Sequence, residues 1–248
     1  MRATARTVVV ALATIAIFTT FAPVAHATSF LIDHFVVPPG GQSVLVHSVG
    51  SGSKTVTGLA GVVGGARTLD LNVTTSTYGL YSSLAEVSTV GGSLSLSNDS
   101  GQVGEGKVTW DASGAGLGGV DITLGGAVSY LQSHVLFSDQ DLGFRIDITE
   151  TAAAGGSTAY WSTNLGLGPS TVFQSLSSFT NAGAVDFTKV DKIVLTLSGP
   201  AAQDGTIDLL EITDRPVPEP ITLGGIALGV GALCGYIRRR MAFSRCGA

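Results

Sequence analysis

Tyr160 and Trp161 stand side by side in Ser157–Asn164, a stretch otherwise made of small and polar residues. Successive residues of a strand point to opposite faces, so one of the two rings must face outward. An exposed ring, apolar on its face and flanked by hydroxyl and amide groups, is what a sugar needs from a protein surface. Tyr160 and Trp161 are therefore the candidate sugar-binding residues, with Tyr78, Tyr81 and Tyr130 as additional members. Trp110 runs in phase with Val108 in Lys107–Asp111 and is expected in the core instead. Catalytic groups are sparse. There is no Gly-x-Ser-x-Gly elbow, and both cysteines, Cys234 and Cys246, lie in the tail, far from any candidate site. Asp139 and Asp141 put two carboxylates close together, as glycoside hydrolysis requires. Their setting, Ser138–Gly143, has the composition of a solvated turn, in which aspartate accepts hydrogen bonds from local backbone. His34, His47 and His134 lack the short spacing of a zinc ligand set. No EF-hand loop or nonapeptide calcium repeat is present.

The elements that must position these residues read as strands. Thr68–Thr74, Lys107–Asp111, Val120–Leu124 and Phe144–Thr149 each alternate apolar with polar residues, the pattern of a sheet with one face buried and one in water. Glycine, serine, asparagine and aspartate clusters divide such segments at intervals of roughly 8–15 residues, and no long amphipathic helix interrupts them. Ala152–Ala154 suggests a single helical turn that Gly155-Gly156 ends. The fold expected is all-β: a two-sheet antiparallel, jelly-roll-like β-sandwich of about a dozen strands over residues 28–213.

The two ends of the chain differ from this body. Residues 1–27 carry Arg2 and Arg6, an apolar run from Val8 and a closing Ala25-His26-Ala27, the order of a secretory signal peptide. All 18 Asp and Glu lie between residues 28 and 220, with 7 of the 13 Lys and Arg. That segment is acidic by about eleven charges, which disfavours nucleic acid as a partner. With no cysteine in it, an exported body cannot use disulfides and must be held by apolar burial. Residues 214–220 form a proline-rich linker, in which Pro216, Pro218 and Pro220 hold the backbone extended. Residues 221–237 carry no charge. At about 1.5 Å per residue they cover about 25 Å, slightly under a ~30 Å hydrocarbon core, and are expected to form a transmembrane helix. Residues 238–248 begin with Arg238-Arg239-Arg240, the stop expected on the cytoplasmic side of the membrane.

Val217-Pro218-Glu219-Pro220, a glycine-rich apolar span and an arginine cluster, in that order, resemble the PEP-CTERM sorting signal of Gram-negative bacteria. The resemblance covers about the last tenth of the chain, and Met241–Ala248 extends beyond the usual end of such signals. It implies processing by an exosortase, an intermediate anchored in the cytoplasmic membrane, and final placement at the cell surface or outside the cell, after signal peptidase has cut at the N-terminal Ala25-His26-Ala27 pattern. The body is similar to those of many secreted PEP-CTERM proteins through Leu31–Phe35, Gly64–Arg67, Val108–Asp111, Gly118–Asp121 and Ile207–Ile212. These bodies look like carbohydrate-binding jelly rolls, which implies a fold and leaves the ligand open. In such folds the first and last strands often lie side by side and a calcium ion can join them. Asp33, with Asp208 or Glu211, would then supply the carboxylates. The expectation is a non-catalytic surface or matrix protein that adheres to exopolysaccharide or serves structurally. Its rivals are a polysaccharide-active hydrolase and an ice-contacting surface, the latter requiring a flat array of threonines.

Overall fold

The computed structural model describes residues 28–39, 41–77, 83–88 and 92–214. The sorting residues Val217–Pro220, the arginines 238–240, the segment 1–27, and Tyr78 and Tyr81 lie outside the described residues.

Thirteen strands are present among the described residues. The chain runs through β1 (Ser29–Asp33), β2 (Gln42–Val46), β3 (Gly50–Thr57) and β4 (Ala66–Ser76). It continues through β5 (Ser83–Ser88), β6 (Ser93–Asn98), β7 (Gln102–Trp110) and β8 (Tyr130–Ser138). The second half contains β9 (Leu142–Glu150), β10 (Thr158–Leu165), β11 (Ser170–Ser175), β12 (Val190–Ser198) and β13 (Asp204–Thr213). All described strand pairs are antiparallel, and they build two sheets. One has seven strands in the order β11-β8-β13-β6-β5-β2, with β1 joined to β13. The other has six, in the order β10-β9-β12-β7-β4-β3. The first and last strands do pair: Ser29 lies opposite Thr213, and the amide of Asp214 donates to the Thr28 carbonyl at 3.2 Å.

Period-two alternation produces the sandwich directly. In β7 the even-numbered positions Gln102 to Trp110 are buried and the odd ones are partly exposed. The inward residues of the two sheets, among them Leu69, Leu71, Trp110, Phe144, Ile146, Leu195, Leu96, Leu131 and Ile212, form one continuous core. Trp110 is fully buried, as its phase requires. Two inward glycines of β7 set how closely the sheets approach. A Cβ on Gly104 would lie 2.6 Å from Asn98 Oδ1, and one on Gly106 would lie 3.3 Å from Leu96 Cδ1.

One expected strand is absent. Val120–Leu124 alternates in sequence but forms a loop, with a single bridge from Val120 to Val190. The Asp121 carboxylate accepts from the amides of Thr123 (2.8 Å) and Gly125 (2.7 Å) and from the Thr123 hydroxyl (2.7 Å). Those local bonds take the backbone away from any ladder, the competition that aspartate offers secondary structure. They also hold the Asp121 pKa below the usual carboxylate value, the Thr123 hydroxyl contributing most. Ala152–Ala154 does form one 3₁₀ turn, capped by Thr151 and ended at Gly155, φ 131°.

Candidate functional site

The outer face of the six-stranded sheet is a lattice in register. Opposite residues line up across the strands, so polar side chains that alternate along each strand also form rows across the sheet. One row reads Ser162 (β10), Arg145 (β9), Thr196 (β12), Lys107 (β7), Asp70 (β4) and Ser53 (β3). The row beside it reads Tyr160, Asp147, Val194, Thr109, Thr68 and Thr55. A third runs from Asn164 through Gly143, Ser198, Glu105 and Asn72 to Ser51. Hydroxyls tie neighbouring strands together, Thr55 to Thr68 and Thr149 to Thr158, each at 2.9 Å. Gly143 leaves a notch in the third row, since a Cβ there would collide with the Ser198 hydroxyl.

Tyr160 and Trp161 part company. Tyr160 points to this outer face, while Trp161 turns inward and packs against Phe144, ring centroids 6.1 Å apart. The face of Tyr160 is covered by the Arg145 guanidinium, 4.3 Å from the ring centroid. Arg145 is in turn gripped by Asp147 in a two-pronged pair, Nε to Oδ2 at 2.8 Å and Nη2 to Oδ1 at 2.6 Å. That pair raises the arginine pKa further and fixes the plane of the fork over the ring. Three shallow depressions meet at Glu105. One of about 450 Å³ lies around Lys107, Arg145, Asp147 and Lys192. Another of about 370 Å³ lies around Ser162, Asn164 and Ser198. The third, of about 270 Å³, lies around Asp70, Asn72 and Ser51. Together they form a polar trough across all six strands, about 24 Å at ~4.8 Å per strand step.

The three carboxylates expected at calcium are not brought together. Asp33 is fully buried on the inner side, opposite Leu210. Its Oδ2 accepts from Arg67 Nη1 (2.8 Å) and Trp110 Nε1 (2.9 Å), and its Oδ1 from the Phe35 amide (2.6 Å). Glu211 lies on the outer side opposite Leu31, and Asp208 sits in an irregularity of β13 beside His134. Asp33 went to the core because Arg67, a charge at an inward position of β4, needed a partner there. Among the described residues no group of three or more His, Cys, Asp or Glu is close enough to hold a metal ion. Asp139 accepts from the Asp204 amide at 2.8 Å, a bond between the end of β8 and the start of β13, and Asp141 is exposed beside it. Tyr130 lies on the other sheet, away from Tyr160. Sequence alternation requires one ring of the Tyr160–Trp161 pair to face outward without naming which, and it says nothing of the rows, since these depend on the register of six strands far apart in the chain.

No protein-family model matches the chain, and no curated protein matches it. Solved structures do. The chain is similar to the family 11 carbohydrate-binding module from Clostridium thermocellum in complex with a β-1,3-1,4-mixed-linked tetrasaccharide. The identity is 13%, over 74% of this chain and 94% of that one, with a TM-score of 0.39. It is also similar to a family 29 carbohydrate-binding module complexed with mannohexaose, at 12% identity over 77% of this chain and 94% of that one, TM-score 0.35. At these TM-scores no residue of this chain inherits a role from them.

Proposed function

We propose that the protein is an exported surface or matrix protein whose sandwich adheres to polysaccharide without cleaving it, through the outer face of the six-stranded sheet. The observation that carries this is the lattice itself: donors, acceptors and one aromatic side chain in rows across six strands, with a trough between them. Such a surface complements an extended ligand rich in hydroxyls, since each sugar ring can meet polar groups at a regular spacing. The threonines in these rows are the feature an ice-contacting surface would need. Lys107, Arg145, Asp70, Glu105 and Asp147 interrupt them, and that mixture suits a hydrated polysaccharide better than an ice plane.

Export, sorting by an exosortase and passage through a membrane-anchored intermediate complete the proposal, resting on the order of segments at the two ends of the chain. Calcium enters as an arm of the experiment. Residues 28–214 are sedimented with a panel of insoluble polysaccharides, with calcium and with chelator. Retention that falls in both Arg145→Ala and Tyr160→Ala supports this face as the site. Retention unchanged in both variants rules the face out, and calcium-independent binding removes the ion from the account.

A further inference from the structure

The two sheets divide the charges of the sandwich unequally. Every lysine and arginine within a strand belongs to the six-stranded sheet: Lys54, Arg67, Lys107, Arg145 and Lys192. None of the seven strands of the other sheet contains one. Its outer face carries Glu86, Asp208 and Glu211 together with His134. It is also the more aromatic of the two. Tyr130 and Phe173 stack on it at 4.8 Å and 13°, and Phe137 is 47% exposed further along β8.

Beside that stack, two acceptor oxygens have no donor. Gln132 lies between Phe173 and Glu211 in the register and is 5% exposed, and its Oε1 has no hydrogen-bond partner. Its Nε2 is 2.9 Å from His134 Nε2. On the far side of the same imidazole, Asp208 Oδ1 is buried and unpartnered, 3.6 Å from His134 Nδ1 and so beyond hydrogen-bond reach. The register of β13 against β8 shifts on both sides of Ile207, and this takes Asp208 out of the ladder and turns it toward His134. Bulges of this kind re-aim a side chain next to a site. His134, with 40% of its side chain exposed, connects the pair to solvent.

Buried acceptors without donors are rare because they forfeit hydration without recompense. What satisfies both at once, next to aromatic rings and on a sheet whose described strands contain no lysine or arginine, is a ligand with several O–H donors and an apolar face. A uronate or phosphate is disfavoured by Asp208 and Glu211. We propose that the outer face of the seven-stranded sheet around Gln132, His134 and Asp208 is a second saccharide site, selective for neutral sugars. Hydroxyl groups donate to Gln132 Oε1 and Asp208 Oδ1, and the sugar ring packs on Phe173. This rests on the reading that the sandwich adheres to polysaccharide, and it adds a consequence. With sites on opposite faces, one molecule bridges two polymer chains and acts as a matrix cross-linker.

The test uses the full chain in a detergent that carries no sugar, with hydroxyethyl cellulose as a neutral polymer and alginate as a uronate polymer. Retardation in polymer-loaded native gels and turbidity of protein–polymer mixtures are the readouts. Thr171 is exposed and lies opposite His134, so Thr171→Lys obstructs the site with little risk to folding. Phe173→Ser removes the ring. Both variants are expected to lose about tenfold in retention by hydroxyethyl cellulose, the scale of one contact, and to abolish turbidity. Arg145→Ala, on the opposite face, should lower retention in its turn and also abolish turbidity, because cross-linking needs both faces. Undiminished retention in Thr171→Lys and Phe173→Ser overturns the second site and leaves adhesion through the other face standing. A wild-type protein retained by neither polymer overturns both.

Discussion

Arg67 and Asp33 show how neighbours decide what a charged residue does. Both are fully buried, and taking two charges out of water costs several kcal/mol each unless each is paired and hydrogen-bonded. Here every arm finds a partner. Arg67 Nε donates to Gln42 Oε1 at 2.8 Å and Nη2 to the Val36 carbonyl at 3.1 Å, and Asp33 accepts three bonds of its own. The pair joins β1 of one sheet to β4 and β7 of the other. Asp33→Ala strands a buried guanidinium and should lower unfolding stability by about 3–5 kcal/mol in urea titrations. Removing both charges as Asp33→Leu with Arg67→Met should recover part of that loss. A double variant no more stable than Asp33→Ala would show that stranded charge is not the cause. The same geometry explains why Asp33 faces the core rather than Asp208 and Glu211. In sequence an acid at the end of a short apolar strand reads as outward, and the arginine that draws it inward lies 34 residues away.

At the scale of elements, the corner between β9 and β12 is held by two acids. Glu150 Oε2 accepts from the Asp186 amide at 2.7 Å and Oε1 from the Ser157 amide at 3.3 Å. Asp186 accepts from the Thr188 hydroxyl (2.6 Å) and amide (3.0 Å) and pairs with Lys189 (2.9 Å). The Thr188 hydroxyl and then Lys189 draw the Asp186 pKa from 3.8 down to about 2, and the Asp186 amide leads in lowering that of Glu150. Both acids therefore hold protons less tightly folded than unfolded. Their stabilisation is complete above the unfolded values and is lost as pH falls from about 4.5 through about 2. The melting temperature should be level from pH 7 to 5 and drop below that, with a shallower drop in Glu150→Gln. An identical acid slope in that variant would remove Glu150 from the account. Strands such as β4, β7 and β9 were legible in sequence, because alternation is a local property fixed by which face is wet. Val120–Leu124 alternates equally well, yet Asp121 closes a turn on Thr123 and Gly125 that alternation does not record. Pairing was less legible still: nothing within β10 states that Tyr160 will share a row with Thr55.

For the whole molecule, cohesion comes from the sandwich. Residues 28–214 close a continuous core between two sheets, and both cysteines lie beyond it, so disulfides play no part in its stability. Its ends meet, with Thr28 bonded to Asp214 and Ser29 opposite Thr213, so both flanking segments join the sandwich at one place, and none of the described strand pairs includes a residue of theirs. Deleting Pro216–Ala248 should accordingly leave the melting temperature of the sandwich unchanged. If the tail is the sorting signal, the same deletion moves the protein from the cell-associated fraction into the medium, as fractionation with an antibody to the sandwich would show. A lowered melting temperature would mean that the tail contributes to the fold. Unchanged retention at the surface would mean that the sandwich holds itself there by adhesion alone. The further variant Arg145→Ala, combined with the deletion, separates the two: release only in the combined variant assigns retention to the outer face of the six-stranded sheet, and release on deletion alone assigns it to the tail.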